Sequence, residues 1–440
     1  MFGNQNRVNK ILASAYVRIL LIKFLSIVLL FLCNLLAARI LTLEEFGGYA
    51  LVTAIGMTLS LFTLYGGDKY AMKNLSILFQ QNRVEKYFTL MAKLLFMVMV
   101  SVFVLSLLAY AFVQTEFSHF KQWEYVFMIA YSLVFSITRL LNVSIRCHSR
   151  VLMAELLINV VRPGVFIVLL LLSYVLSING LSTTLTILLL SYGCILLVSA
   201  KYIQHNKDGN KVTDYVVWTT DLSEIRSMYG RCTFFFFVSL FGPLLSYLDI
   251  LMIGALANKE SVAIYSVVAK LTGLILVGLV SANMLIAPKI SPLVAQGEFS
   301  KLQSVINKNN QFILFITILP VCVLLFLPMK VLGIYGEDYL IGAELVPILL
   351  VGQLIHVVSG PTIMVATQSG FQLSAAVIMG AGCLVSLLIS YLLIPVYGVV
   401  GAAFANVLSY SFVNIGLNIY IFKKIGVDTS MIGLIRKNGG

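Results

Sequence analysis

Apolar residues come in long runs separated by short polar turns along almost the whole chain. A helix needs about 20 predominantly apolar residues to cross the hydrocarbon core of a bilayer. That window predicts twelve helical spans, at about 18–40, 47–66, 87–113, 124–145, 156–178, 183–203, 232–254, 262–287, 310–328, 341–366, 374–394 and 401–422. An even number of spans puts both ends of the chain on one side of the membrane. The longest polar stretch, Lys201 to Arg231, falls in the middle. It divides the chain into an N-terminal lobe (1–203), a linker (204–231) and a C-terminal lobe with its tail (232–440). The linker is expected to end in a short interfacial helix around Leu222 to Tyr229. A plain tether accounts equally well for the linker.

The halves echo one another. The stretch Cys33 to Val52, CNLLAARILTLEEFGGYALV, reappears in degenerate form 216 residues later as DILMIGALANKESVAIYSVV, with Glu44 over Glu260 and Tyr49 over Tyr265. Gln80-Gln81-Asn82 falls over Gln296-Gly297-Glu298 at the same offset, and Ser191-Tyr192 echoes Ser409-Tyr410 at 218. Six spans per half give parallel repeats related by an axis along the membrane normal, an arrangement suited to a transporter that rocks two bundles around a central cavity. Shared apolar composition is the competing source of such similarity.

Composition agrees with the pattern. Of 440 residues 60% are hydrophobic and 11% charged, with a mean hydropathy of +0.98, whereas a soluble domain carries about 25% charged residues. The chain is therefore read as an all-α polytopic membrane protein. A net charge of +12 raises nucleic acid as a partner, but its placement points to membrane topology and to no nucleic acid. With the N-terminus in the cytoplasm, 21 of the 30 Lys and Arg lie on the cytoplasmic side and four on the other, as the retention of basic loops requires. Both termini are expected inside. The first apolar run is too long for a signal peptide and lacks a small-residue cleavage site, so it is read as a retained first helix. The six cysteines form no CxxC and no Cys/His cluster; free thiols, no metal site and no cofactor are expected. Nothing resembles a P-loop, and the short outer loops leave no room for a catalytic domain.

The remaining five cations, Lys23, Lys93, Arg139, Arg162 and Lys270, fall inside spans. An ionisable group at mid-bilayer costs about 2.5–3.5 kcal/mol on insertion scales, so it faces protein or water. Lys23, Arg139 and Arg162 lie roughly 8–9 Å from the cytoplasmic ends of their spans and can snorkel. Lys270, roughly 12 Å deep by the same rise, cannot do so as easily. Arg139, Asn142, Arg146 and Arg150 follow helical spacing as one cationic stripe, and Glu155 and Arg162, seven apart, share a face. Two readings stand: snorkelling or structural pairing, or cations lining a water-filled cavity that hold a phosphate or pyrophosphate. On the second, Lys23, Arg139, Arg146, Arg162 and Lys270 are the candidate substrate-binding residues. Asp249 is the only acid placed within a span, near its outer end, where a salt bridge or a solvent-facing rim also explains it. His356 is a packing histidine or a proton carrier. Asp249 and His356 are the candidate coupling sites for H⁺ or Na⁺. Pro163-Gly164, Gly242-Pro243, Pro288, Pro347 and Gly360-Pro361 are expected to interrupt spans.

The unit Ala38, Arg39, Leu41, Phe46, Gly47, Tyr49, Ala50 resembles the A-R-x-L-x-x-x-x-F-G-x-Y-A opening of the polysaccharide transporter family, within the multidrug/oligosaccharidyl-lipid/polysaccharide flippase superfamily. Tyr247 to Gly254 is similar to that family's seventh helix. Ile394-Pro395-Val396-Tyr397-Gly398-Val399-Val400-Gly401-Ala402-Ala403 looks like its I-P-x-Y-G-x-x-G-A-A segment between helices eleven and twelve. The resemblance implies a flippase of the bacterial inner membrane for an undecaprenyl-pyrophosphate-linked oligosaccharide such as an O-antigen or capsule repeat unit. It also implies a cationic central cavity and alternating access between two six-helix lobes. The partners it suggests are the lipid-linked oligosaccharide, membrane lipids, and the polymerase and chain-length proteins of the same pathway. Peptidoglycan-precursor flippases carry two further helices, and twelve spans argue against that branch. A drug/cation antiporter of the superfamily would want cavity acids, of which Asp249 alone qualifies. A membrane-embedded polymerase would want a large outer loop.

Overall fold

The computed structural model describes residues 2–113, 120–148, 150–205 and 222–433. Every regular element among them is helical, because only helices and closed barrels satisfy their own backbone groups within lipid. Among the described residues eleven helices are long and apolar enough to cross a membrane. The longest, Gln372–Ile425, joins two helices across Gly398, whose φ of 55° is non-helical. The chain is thus an all-α, multi-pass membrane protein of twelve spans in two six-helix lobes.

The chain divides into two compact units, Met1–Thr42 with Val52–Phe237, and Leu43–Leu51 with Val238–Gly440. The first contains α1 (Phe2–Ile40), most of α2 (Leu43–Leu64), α3 (Gly67–Gln80), α4 (Val84–Val113), α5 (Gln122–Cys147), α6 (Val151–Leu156), α7 (Arg162–Val175), α8 (Leu181–His205) and the beginning of α9 (Leu222–Leu256). A π-turn, Leu157–Val161, joins α6 to α7. The core packs Tyr87, Met91, Leu94 and Val98 of α4 against Leu140 and Val143 of α5, while Phe103, Leu107 and Leu108 on the other side of α4 stay exposed. That is the pattern of a helix facing protein on one side and lipid on the other.

The second unit contains the first turns of α2, the rest of α9, α10 (Lys259–Gly273), α11 (Leu276–Ala295), α12 (Phe299–Phe326), α13 (Pro328–Gly333), a 3-10 segment (Glu337–Glu344), α14 (Leu345–Ser359), α15 (Thr362–Gln368) and α16 (Gln372–Ile425). Its core gathers Leu245, Ile286, Ile306, Met379, Val413 and Leu417. After α16 the chain folds back. The Thr429 carbonyl accepts from Asn310 Nδ2 at 2.9 Å and Met431 N donates to the Val358 carbonyl at 2.7 Å. This return passes the break between α14 and α15, where Gly360 has φ +69° and a Cβ would lie 2.2 Å from the Thr429 carbonyl oxygen. Gly360→Ala should therefore lower unfolding stability by about 2–3 kcal/mol, as overpacking and strain together would; an unshifted thermal midpoint would contradict this.

Several boundaries differ from those the sequence predicts. The second span ends at Leu64 and continues as α3 after the left-handed pair Tyr65 and Gly66, in place of the expected loop. Span eight is the pair α10 and α11, parted near Leu274-Ile275, and span ten stops at Ser359 rather than 366. Leu222 to Tyr229 is not a separate interfacial helix but the first turns of α9, because Met228 and Cys232 insert into the α4 core. Residues 206–221 of the linker lie outside the described residues. Of the expected proline breaks only Gly360-Pro361 parts two helices; α9 and α11 run through Pro243 and Pro288, Pro347 sits in the first turn of α14, and Pro163 lies just past the π-turn Leu157–Val161 inside a helix that continues from α6 into α7.

Candidate functional site

Within the first unit, α1, α5 and α6 bring charges together around Glu155, which is 6% exposed. Lys23 Nζ lies 2.6 Å from its Oε2, and Arg146 Nη2 donates to its Oε1 at 2.7 Å. Asn159 Nδ2 donates to Oε2 at 2.7 Å, and Asn142 Nδ2 ties α5 to the Ala154 carbonyl at 2.7 Å. A buried carboxylate is tolerable only when its lone pairs are filled by such partners. Two cations on one carboxylate leave a net positive charge, and both cationic side chains remain about a third exposed, at 30% and 32%. Arg146 Nε is buried without a hydrogen-bond partner.

The other candidate cations go elsewhere. Arg139 Nε lies 3.5 Å from Asp68 Oδ2 of α3. The Arg162 guanidinium stands over the Tyr192 ring of α8 at 4.9 Å, a cation–π geometry. Glu155 and Arg162 do not share a face: the wider i→i+5 turn between them removes about 100° of rotation from a seven-residue spacing. The stripe also breaks, because α5 stops at Cys147 and Arg150 lies beyond it, over the Tyr202 ring.

In the second unit Lys270 Nζ lies 5.6 Å from the centroid of Phe46, a motif residue that is fully buried and edge-on to Tyr339. Asp249 is 4% exposed, so the solvent-facing rim is overturned. Its Oδ2 accepts from Tyr265 Oη at 2.8 Å and Asn406 Nδ2 at 2.5 Å. The half-buried His356 ring lies 5.9 Å from that of Tyr410, in the same unit. His356 Nδ1, Gln353 Oε1 and Asn406 Oδ1 are buried without hydrogen-bond partners. Asp249 is not the only acid in a span: Glu124 and Glu155 are buried in the spans Gln122–Cys147 and Val151–Val175, and Asp68 is buried in α3, between spans. Asp68 is the informative residue that sequence reasoning misses, because it falls between predicted spans two and three; Glu155 is named from the sequence as a neighbour of Arg162, and its pairing with Lys23 and Arg146 is what the structure adds.

Twelve membrane-crossing helices in two six-helix lobes, with ion pairs held among the spans, define a polytopic α-helical membrane protein. Residues 13–294, well over half the chain, match the model of the polysaccharide biosynthesis protein family, and the chain belongs to that family. It is 26% identical over 191 residues to the probable low-salt glycan biosynthesis flippase Agl15 of Haloferax volcanii. That match covers 42% of this chain and only 40% of the relative. The fold is similar to the inward-facing conformation of a multidrug resistance MATE family transporter of the MOP superfamily (TM-score 0.73, 13% identity, 97% of this chain and 100% of the other). It is also similar to the lipid II flippase MurJ in an inward closed conformation (TM-score 0.72, 15% identity, 95% and 91%). A MOP superfamily transporter from Pyrococcus furiosus aligns with TM-score 0.62 at 15% identity, over 94% and 95% of the two chains.

Proposed function

We propose that this protein is a flippase for a lipid-linked oligosaccharide and not an enzyme. The observation that carries this reading is the match of residues 13–294 to a polysaccharide biosynthesis family on a chain whose fold is that of membrane transporters. The relative described as a glycan biosynthesis flippase points the same way. In the finer reading the cargo is an undecaprenyl-pyrophosphate-linked O-antigen or capsule repeat unit. It moves from the cytoplasmic to the outer leaflet of a bacterial inner membrane by alternating access between residues 1–203 and 232–440. Both termini lie in the cytoplasm, as the basic loops favour.

A sugar-bearing pyrophosphate cannot cross hydrocarbon without polar partners. Lys23 and Arg146 supply them by exchange: an incoming phosphate competes with Glu155 for two cations that already have an anionic acceptor. Arg139 beside Asp68 works the same way, and Arg162 is positioned by Tyr192. Lys270, in the second unit, is a separate candidate. Asp249 and His356 are the coupling candidates for H⁺ or Na⁺.

Deleting the gene should leave lipid-linked repeat units facing the cytoplasm; accumulation of single units already translocated would indict a polymerase instead. Complementation then tests the cations. Replacing Lys23, Arg146 and Glu155 together with Gln removes the charges without stranding one of them. The triple variant should reach the membrane at normal abundance and lose at least about tenfold in transport, the scale expected for charge-assisted bonds to phosphate. Lys270→Gln should also reduce it. Normal transport by both variants would overturn the assignment of these cations to substrate.

A further inference from the structure

Lys93, on α4, takes no part in the charged clusters above, yet it is a cation well inside a span. It lines an open cavity of about 610 Å³ bordered by α3, α4 and the start of α9. One face of α4 contributes Lys86, Thr89, Leu90 and Lys93 at i, i+3, i+4 and i+7. The opposite wall carries Met228 and Arg231 of α9. Arg231 is held in place: its Nη2 donates to Ser227 Oγ at 2.9 Å and its guanidinium lies 6.0 Å from the centroid of Tyr70, also in the lining. Three cations against the single acid Glu85 give the cavity a net positive charge.

The same face of α4 continues beyond Lys93 through Phe96, Val100, Val104 and Leu107, which are 37–54% exposed. Polar and cationic for its first three turns, then apolar and open along the rest of the span, this face has the two-part chemistry of a lipid. A soluble phosphate would use only the first part.

We propose that this cavity holds the phosphate head group of an anionic membrane lipid, with Lys86, Lys93 and Arg231 on the phosphate and the acyl chains lying along Phe96 to Leu107. Basic pockets between membrane helices recognise such head groups by charge. The site uses none of the residues assigned to the flipped substrate, and lipid retention is read without any transport.

The test uses full-length protein in nanodiscs containing equal phosphatidylcholine and phosphatidylglycerol, with retained lipids counted by native mass spectrometry. The wild type should retain phosphatidylglycerol selectively. Lys93→Gln and Arg231→Gln should each lower that retention about fivefold, the worth of one basic residue near an anionic surface. Lys86→Gln serves as the third variant should Arg231→Gln fail to fold, and Lys301→Gln, at an exposed pair with Glu298, should change nothing. Unchanged retention in the double variant Lys93→Gln/Lys86→Gln overturns the proposal. So does displacement of the lipid by an equal concentration of inorganic phosphate, which would make the site one for soluble phosphate.

Discussion

Glu155→Ala should destabilise the first unit by about 2–3 kcal/mol, below the full cost of stranding buried charge because the two cations left behind are each about a third exposed. The loss is large because Glu155 alone accepts from Lys23, Arg146 and Asn159. Its removal leaves two cations without their shared counterion and two amide or guanidinium donors without an acceptor. Glu155→Gln keeps an oxygen acceptor and should cost less. Lys23→Ala leaves Arg146 on Oε1 and should cost the least of the three. Thermal unfolding of purified protein orders the variants; equal midpoints for Glu155→Ala and wild type would show that the cluster is not held by this carboxylate. Glu155→Ala should also impair transport, and measuring transport per inserted molecule separates that effect from lost abundance.

Gly47→Ala should be at least as damaging, at about 3 kcal/mol, the upper part of the usual overpacking range. A Cβ at Gly47 would lie 1.7 Å from the Lys259 carbonyl oxygen and 2.5 Å from its carbon. Both are backbone atoms at the first residue of α10, whose start is fixed by Asn258 Oδ1 accepting from Ser261 N at 2.8 Å. Gly254→Ala is the instructive contrast: its Cβ would meet Leu51 Cδ1 at 2.4 Å, and a leucine terminus can change rotamer where a carbonyl cannot. Gly47→Ala should therefore lower the amount of folded protein in the membrane far more than Gly254→Ala. The reverse order would sink the backbone-contact explanation.

The motif that carries the family resemblance acquires a physical meaning from these contacts. Gly47 is required by a close backbone approach. Gly398 supplies the positive φ that separates the last two spans, and Gly401 sits where a Cβ would be 2.4 Å from the Leu393 carbonyl oxygen. Phe46 does more than mark the family, since its ring lies beneath Lys270. The motif is legible in sequence as a spacing of small and aromatic residues, whereas its contacts span more than two hundred residues and are not.

Candidate cations are legible for a simple reason: a charge within an apolar run is conspicuous. Their partners are not. Asp68 lies in a stretch that reads as a loop because α3 is only weakly apolar, and Glu155, at the edge of the fifth span, shows no sign in the sequence of its partners on α1 and α5. The π-turn at Leu157–Val161 has no sequence mark that a heptad count would register, and it decides that Arg162 meets Tyr192 while Glu155 meets Lys23 and Arg146.

What the sequence alone determined is the twelve-span helical plan and the family, because backbone hydrogen bonding in lipid permits little else and apolar length is written residue by residue. What only the tertiary structure decided is the company each charge keeps. Pairing depends on which helix faces pack together and on local register, and a single wide turn rotates a side chain by about a quarter of a circle.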